Sequence, residues 1–173
     1  MAISDTKLDR RTLLLLCAQW TLFAGNLAVY FVQPLPLAVH MAVGVLAVHL
    51  AFTIWHEAAH GNVSNRRWIN NAVGFLGMLP YTTPYFLQRC IHLDHHKYLN
   101  EKDLDPNLIY ADGPFWQLPL RYLRTVGYAR RKLRDDPRSA AMRRSDAFGL
   151  VLVLAAYGVA LWHGAFLDLL LVW

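Results

Sequence analysis

The sequence predicts an all-α integral membrane protein: a helical hairpin, a re-entrant or interfacial segment, cytoplasmic helices, and then a second, incomplete hairpin. Three observations predict it. Hydrophobic residues make up 55% of the 173, and they collect in long uncharged runs of the length a helix needs to cross a bilayer. All 17 lysines and arginines fall in two places, three within residues 7–11 and fourteen between Arg66 and Arg144. The first two runs are separated by Gln33-Pro34-Leu35-Pro36, a helix-breaking turn.

The elements follow in order. Residues 12–32 carry no charge, and a helix of that length covers the ~30 Å hydrocarbon layer. The run follows a basic start but is longer than a signal-peptide core and has no clear small-residue cleavage site, so it is read as a retained span. Residues 37–55 form a second uncharged run that leads into His56-Glu57-Ala58-Ala59-His60, giving a span over about 37–60. Arg10 and Arg11 flank one end of this hairpin, Arg66 and Arg67 the other, and its tip is uncharged. The positive-inside rule therefore puts both ends in the cytoplasm.

Residues 69–87 are apolar but broken by Gly74, Gly77, Pro80 and Pro84, the pattern of a re-entrant or surface-lying segment. The whole of 61–146 is assigned to the cytoplasmic side. Within it, residues 115–134 mix aromatics with cations, which fits an amphipathic helix on the lipid surface and equally a solvated basic helix. Residues 147–162 make a third span, His163-Gly164 a turn, and 165–173 the start of a fourth. Nine residues cannot cross a bilayer as a helix, so the second hairpin is expected to be completed beyond Trp173, and the 173 residues to be one C-terminally incomplete membrane domain. Cys17 and Cys90 form no CxxC pair and no disulfide framework.

The chemistry lies in two histidine clusters. In His56-Glu57-Ala58-Ala59-His60 the two histidines sit at i and i+4, one turn apart on one helix face. In His92-Leu93-Asp94-His95-His96 the three rings span an arc of roughly 100°, and Asp94 points away from it. A lone membrane histidine commonly serves helix packing; five in HxxxH and HxxHH patterns indicate metal ligation, and imidazole suits Fe, Zn, Cu or Ni alike. Glu57, Asp94, Asn100 and Asp105 are candidates to hydrogen-bond the ligands' second nitrogen. On a straight helix Glu57 does not easily reach His56, so it is expected to serve His92–His96, while Asp105 could instead open a turn with Pro106.

His49 shares a face with His56 but lies about 10 Å deeper, so it is read as a packing residue; His40 is read as interfacial on the opposite face, and His163 as part of the turn. HEAAH also fits HExxH, the zinc-protease helix in which the glutamate is the base. An intramembrane protease with Asp105 as third ligand is therefore the alternative, although it has no use for the second cluster.

The motifs H-E-A-A-H-G-N at 56–62, R-R-W-I-N at 66–70, H-L-D-H-H-K-Y-L-N at 92–100 and D-L-D-P-N at 103–107 resemble the membrane fatty acid desaturase superfamily over roughly residues 40–125. The stretch G-P-F-W at 113–116 followed by Arg121 resembles its carotenoid ring hydroxylase branch. The resemblance implies two non-haem irons held by His56, His60, His92, His95 and His96, with O2-dependent desaturation or hydroxylation of an acyl chain or carotenoid. It also implies electrons from a ferredoxin- or cytochrome-type donor, and no role in nucleic-acid binding. The third HxxHH box of that family is absent from these residues, and five ligands are too few for two irons, so an inactive fragment or relic is a further alternative. Arg130, Arg131, Lys132 and Arg134 could receive an acidic donor or simply obey the positive-inside rule.

Overall fold

A computed structural model describes residues 7–32, 35–111, 113–136 and 139–173. The described residues form helices α1 (Arg10–Val32), α2 (Leu37–His60), α3 (Arg67–Met78), α4 (Tyr85–Lys97), α5 (Pro106–Ala111), α6 (Leu118–Asp135), α7 (Ala140–Trp162) and α8 (Phe166–Val172). A short 3₁₀ turn covers Phe115–Gln117. No strand element occurs among the described residues, only an isolated bridge between Leu8 and Ser64. Helices α1, α2 and α7 are each long and apolar enough to cross a membrane. The protein is therefore all-α and membrane-embedded, as its composition requires.

Helix α7 begins at Ala140, seven residues before the uncharged run read as the third span, because Arg143, Arg144 and Asp146 are tolerated in the first turns of a helix that continues into apolar sequence. The segment predicted over 69–87 is two helices. Met78 ends the first, Thr82 adopts φ 57°, and Pro84 immediately precedes the second. Of the predicted hairpin tip, Gln33 and Pro34 lie outside the described residues.

The chain divides into two compact units, one comprising residues up to Thr83 with Gly149–Trp173, the other Pro84–Phe148. In the first, α1 and α2 pack as an antiparallel pair. The Asp9 N–H donates to the Val63 carbonyl at 2.7 Å near one end, and the Asn26 side chain donates to the His40 carbonyl at 3.0 Å near the other. The buried seam of α1 is Thr12, Gln19, Phe23 and Asn26. That of α2 is rich in small residues, Gly44, Ala47, Ala51, Ala58 and Ala59, which let helix backbones approach closely in lipid.

Two glycines are required by this packing. A Cβ on Gly77 of α3 would stand 2.6 Å from Ile54 Cγ2, and one on Gly44 would stand 2.7 Å from the Val172 carbonyl oxygen of α8. His40 is not interfacial as expected: it is 1% exposed and its Nδ1 bonds Asn26 Oδ1 at 2.9 Å. Helix α1 covers the face on which it lies. His49 is exposed, and His163 stands in the turn after α7.

In the second unit, Leu87 and Ile91 of α4 pack on Ala129 of α6, flanked by Cys90, Val126, Tyr128 and Leu133. The Thr125 hydroxyl donates to the Pro106 carbonyl at 3.2 Å, fastening α6 to the start of α5. Asp146, in the first part of α7, accepts the Phe86 and Leu87 N–H groups at 2.9 Å each. These belong to the first turn of α4, whose N–H groups have no partner within the helix, so a distant carboxylate caps the helix that carries three of the histidines.

Candidate metal centre

Helix α2 carries His56 and His60 in its last two turns and stops directly after them. Gly61 takes the left-handed conformation, φ 79°, and the Asn62 N–H returns to the Glu57 carbonyl at 2.9 Å, a glycine-dependent helix ending. The loop beyond is held by Asn70. Its Oδ1 accepts the Val63 and Ser64 N–H groups at 3.1 Å each, and its Nδ2 donates to the Ser64 carbonyl at 2.7 Å. Asn70 closes the R-R-W-I-N motif, so that motif is a loop lock rather than a source of ligands.

The His56 and His60 rings stand 4.7 Å apart between centroids, with ring nitrogens within 4.8 Å of each other. Phe52 stacks on His56 at 5.6 Å. Glu57 does not behave as predicted. Its Oε1 lies 3.1 Å from His56 Nδ1, and its Oε2 accepts from Asn62 Nδ2 at 2.7 Å. Nδ1 is the ring nitrogen nearer the backbone, and the asparagine holds the carboxylate against it, which an ideal-helix projection does not capture. A carboxylate only accepts, so Nδ1 carries the proton and Nε2 presents its lone pair.

Helix α4 carries the second cluster. His92 and His96 form another i, i+4 pair, with centroids 4.5 Å apart and ring nitrogens within 4.8 Å. His95 lies on the adjoining face, 5.8 Å from His96. Its Nδ1 faces both oxygens of Asp105 at 2.8 and 3.0 Å, a carboxylate–imidazole contact of the kind that orients metal-binding histidines.

Asp105 also accepts the Asn107 N–H at 2.8 Å and the Asn100 N–H at 2.9 Å. It therefore fills both predicted roles, histidine partner and turn residue. Burial pushes its carboxyl upward, but the bonds from His95 and the two N–H groups outweigh this and hold it below the ordinary value of 3.8. Asn100 takes part through its backbone at φ 61°. With both oxygens so committed, Asp105 is a poor third zinc ligand for a protease site.

Asp94 faces away from the histidine arc, as predicted, but its role differs from that of a histidine partner. It accepts a hydrogen bond from the Tyr128 hydroxyl at 2.9 Å and pairs with Lys132, fastening α4 to α6. Burial, then the bond to Asp94, raises the Tyr128 hydroxyl. Lys132 is thus committed inward and does not belong with Arg130 and Arg131 on the outer face. The Cys90 thiol is pushed up to about 11, first by burial and then by the Asp94 charge, against a smaller opposing effect of Lys132.

Sequence reasoning missed Asp146 and Lys132, whose partners lie 60 and 38 residues away. It also missed what Arg121 does. That side chain is buried and donates to the Gly113 and Pro114 carbonyls at 3.0 and 2.5 Å. The G-P-F-W stretch and Arg121 are a packed loop and its anchor.

The described residues thus form all-α membrane-type sequence whose helices display HxxxH and HxxHH histidines, with carboxylates against two of the rings. The fatty acid desaturase family model matches residues 30–173, and the chain belongs to that family. It is 41% identical over 70 residues to an sn-1 oleoyl-lipid 12-desaturase of Picosynechococcus sp., covering 36% of this chain and 20% of that protein. It is 40% identical over 52 residues to a fatty acid conjugase of Calendula officinalis, covering 30% and 14%. It is 31% identical over 77 residues to an sn-1 acyl-lipid omega-3 desaturase (ferredoxin) of Nostoc sp., covering 41% and 21%. The matched segments thus span about a fifth or less of these relatives. No solved structure matches.

Proposed function

We propose that this chain belongs to a membrane di-iron oxidoreductase that desaturates an acyl chain of a membrane lipid, using O2 and electrons from a ferredoxin- or cytochrome-type donor. The observation that carries the reading is that each of two histidine boxes has a ring held by a carboxylate through Nδ1, His56 by Glu57 and His95 by Asp105, the arrangement that orients metal-binding imidazoles. An all-imidazole donor set suits iron, and membership of the desaturase family favours iron over the zinc of a protease. His56, His60, His92, His95 and His96 would hold the metal, on the cytoplasmic side by the positive-inside rule, with further ligands supplied elsewhere in the full-length protein.

Bound di-iron would supply O2 activation and removal of hydrogen from an unactivated C–H. The chain's own residues do the rest. Gly61 and Asn70 end α2 and lock the loop behind His60, Asp105 fixes His95, and Asp94 with Asp146 fixes the helix beneath the second box. Hydroxylation of a carotenoid ring is the second reading, drawn from G-P-F-W and Arg121. The acyl reading is preferred because Arg121 has a packing role and the relatives named above act in acyl-lipid desaturation or conjugation.

The test uses the full-length protein purified from membranes. Two irons per chain, lost in His56→Ala and His92→Ala, and a new double bond in extracted acyl lipids are the expected results. A single zinc would return the protease reading, a hydroxylated carotenoid with unchanged acyl lipids the second reading, and no bound metal the inactive relic.

A further inference from the structure

Helix α6 has two faces. Arg121, Thr125 and Ala129 are buried at i, i+4 and i+8, and mark the side that packs. At 100° per residue, Leu120, Leu123, Arg124, Arg130 and Arg131 lie on the opposite side, and all five are exposed. The apolar members come first. Leu120 is 69% and Leu123 61% exposed, and the preceding turn adds Phe115 at 84% and Trp116 at 78%. The cations follow toward the C-terminus.

We propose that this face is a membrane-surface anchor, with Phe115, Trp116, Leu120 and Leu123 inserted among lipid headgroups and Arg124, Arg130 and Arg131 set against anionic lipid phosphates. Two exposed leucines on the outer face of a basic helix, with two exposed aromatics in the turn that leads into it, are the composition of an interfacial helix. Aromatics favour the headgroup level, and arginine forks match phosphate oxygens. The rival occupant is a soluble acidic electron donor. It would satisfy the arginines but leave the aromatic and leucine side chains to an interface that forms only transiently, whereas a bilayer is always present beside a chain with three candidate spans. Arg134 is shared with Asp135 at 3.0 Å and Lys132 is held by Asp94, so neither is assigned to the contact. The inference does not depend on which substrate the metal centre oxidises.

The test places a nitroxide at Leu120→Cys in the full chain, with Cys17→Ser and Cys90→Ser removing background labelling and Lys102→Cys serving as the aqueous reference. The protein is reconstituted in phosphatidylcholine alone and in equal parts of phosphatidylcholine and phosphatidylglycerol. Expected is a reversal of accessibility, with position 120 colliding more with oxygen than with a water-soluble nickel chelate, the opposite of position 102. The shift should deepen with phosphatidylglycerol, and Arg124→Gln/Arg130→Gln/Arg131→Gln should abolish that deepening. A label at 120 as water-exposed as that at 102 in both mixtures overturns the proposal. So does a label that is water-exposed until an acidic ferredoxin is added, which would assign the face to the donor. Should the cysteine substitutions unfold the protein, brominated-lipid quenching of tryptophan fluorescence decides. Trp116→Phe should lose part of the quenching seen in the parent chain, and an unchanged quenched fraction overturns the anchor.

Discussion

Replacing Asp105 by Asn should separate two jobs that one carboxylate performs. The side chain is 1% exposed and meets His95 Nδ1 with both oxygens, the Asn107 N–H with one and the Asn100 N–H with the other. Asparagine caps a helix about as well as aspartate, so the start of α5 should survive. The negative charge facing His95 is lost, and the amide NH₂ must face either the Asn107 N–H or the Asn100 N–H, donor against donor. Loss of a carboxylate behind a ligand histidine weakens metal binding by about 10–100-fold, or about 1.4–2.8 kcal/mol. One stranded buried donor costs a further ~1–3 kcal/mol of stability. Asp105→Ala should add the loss of the cap, roughly 0.5–2 kcal/mol. Iron affinity is read by chelator competition on the full-length protein, and stability by thermal unfolding of the metal-free form. If Asp105→Asn binds iron as wild type does while Asp105→Ala only unfolds sooner, the aspartate is a turn residue alone and the orientation argument for His95 fails.

Three further outcomes follow from the same contacts. Asp146→Ala strands the Phe86 and Leu87 N–H groups and should cost about 1–3 kcal/mol, seen as faster amide exchange in the first turn of α4; unchanged exchange there would remove Asp146 as its cap. Lys132→Met leaves Asp94 without its cation and should destabilise by ~1–2 kcal/mol once the lysine's partial exposure is allowed for, whereas Asp94→Asn/Lys132→Met should recover part of that loss; strict additivity in thermal unfolding would deny the coupling. Asp9 accepts the Thr12 hydroxyl at 2.6 Å and the Arg11 and Thr12 N–H groups at 3.2 Å. The Thr12 hydroxyl bond is the main reason its carboxyl lies below 3.8. A depressed carboxyl stabilises above its unfolded value and loses that contribution as pH falls through its folded value, so exchange at the start of α1 should rise only in that acid range and Asp9→Ala should abolish the pH step.

Much of the architecture was legible because a bilayer imposes simple requirements. Uncharged length located helices α1 and α2 almost to the residue. It did not show where α7 starts as a helix, since charge limits how far a helix enters lipid but does not stop it being a helix. The histidine pairs at 56/60 and 92/96 were legible because i, i+4 spacing is local. Their supports were not equally so. Asp105 lies ten residues from His95 and was identified from its motif, whereas Asp146 and Lys132 reach α4 from 60 and 38 residues away, and no periodicity connects them. His40 was misjudged because its place depended on which side of α2 the first helix would cover, and an apolar run leaves that undetermined.

The supports of α4 explain why so many carboxylates gather on a helix of 13 residues. Asp146 holds its first turn, Asp94 ties its last turns to α6 through Tyr128 and Lys132, and Asp105 bonds the ring of His95. Apolar packing by Leu87 and Ile91 alone would hold the helix against α6, but it tolerates sliding and rotation, because hydrophobic contact is non-directional. A rotation of about 20° would carry the ring nitrogens on the order of 1 Å, beyond the ~0.5 Å to which a functional constellation must be held. Directional, charge-assisted bonds at three points along the helix remove that freedom. They serve three histidines that, as proposed ligands, would present their nitrogens in a single arc, and α2, with two, manages with a glycine stop and one glutamate.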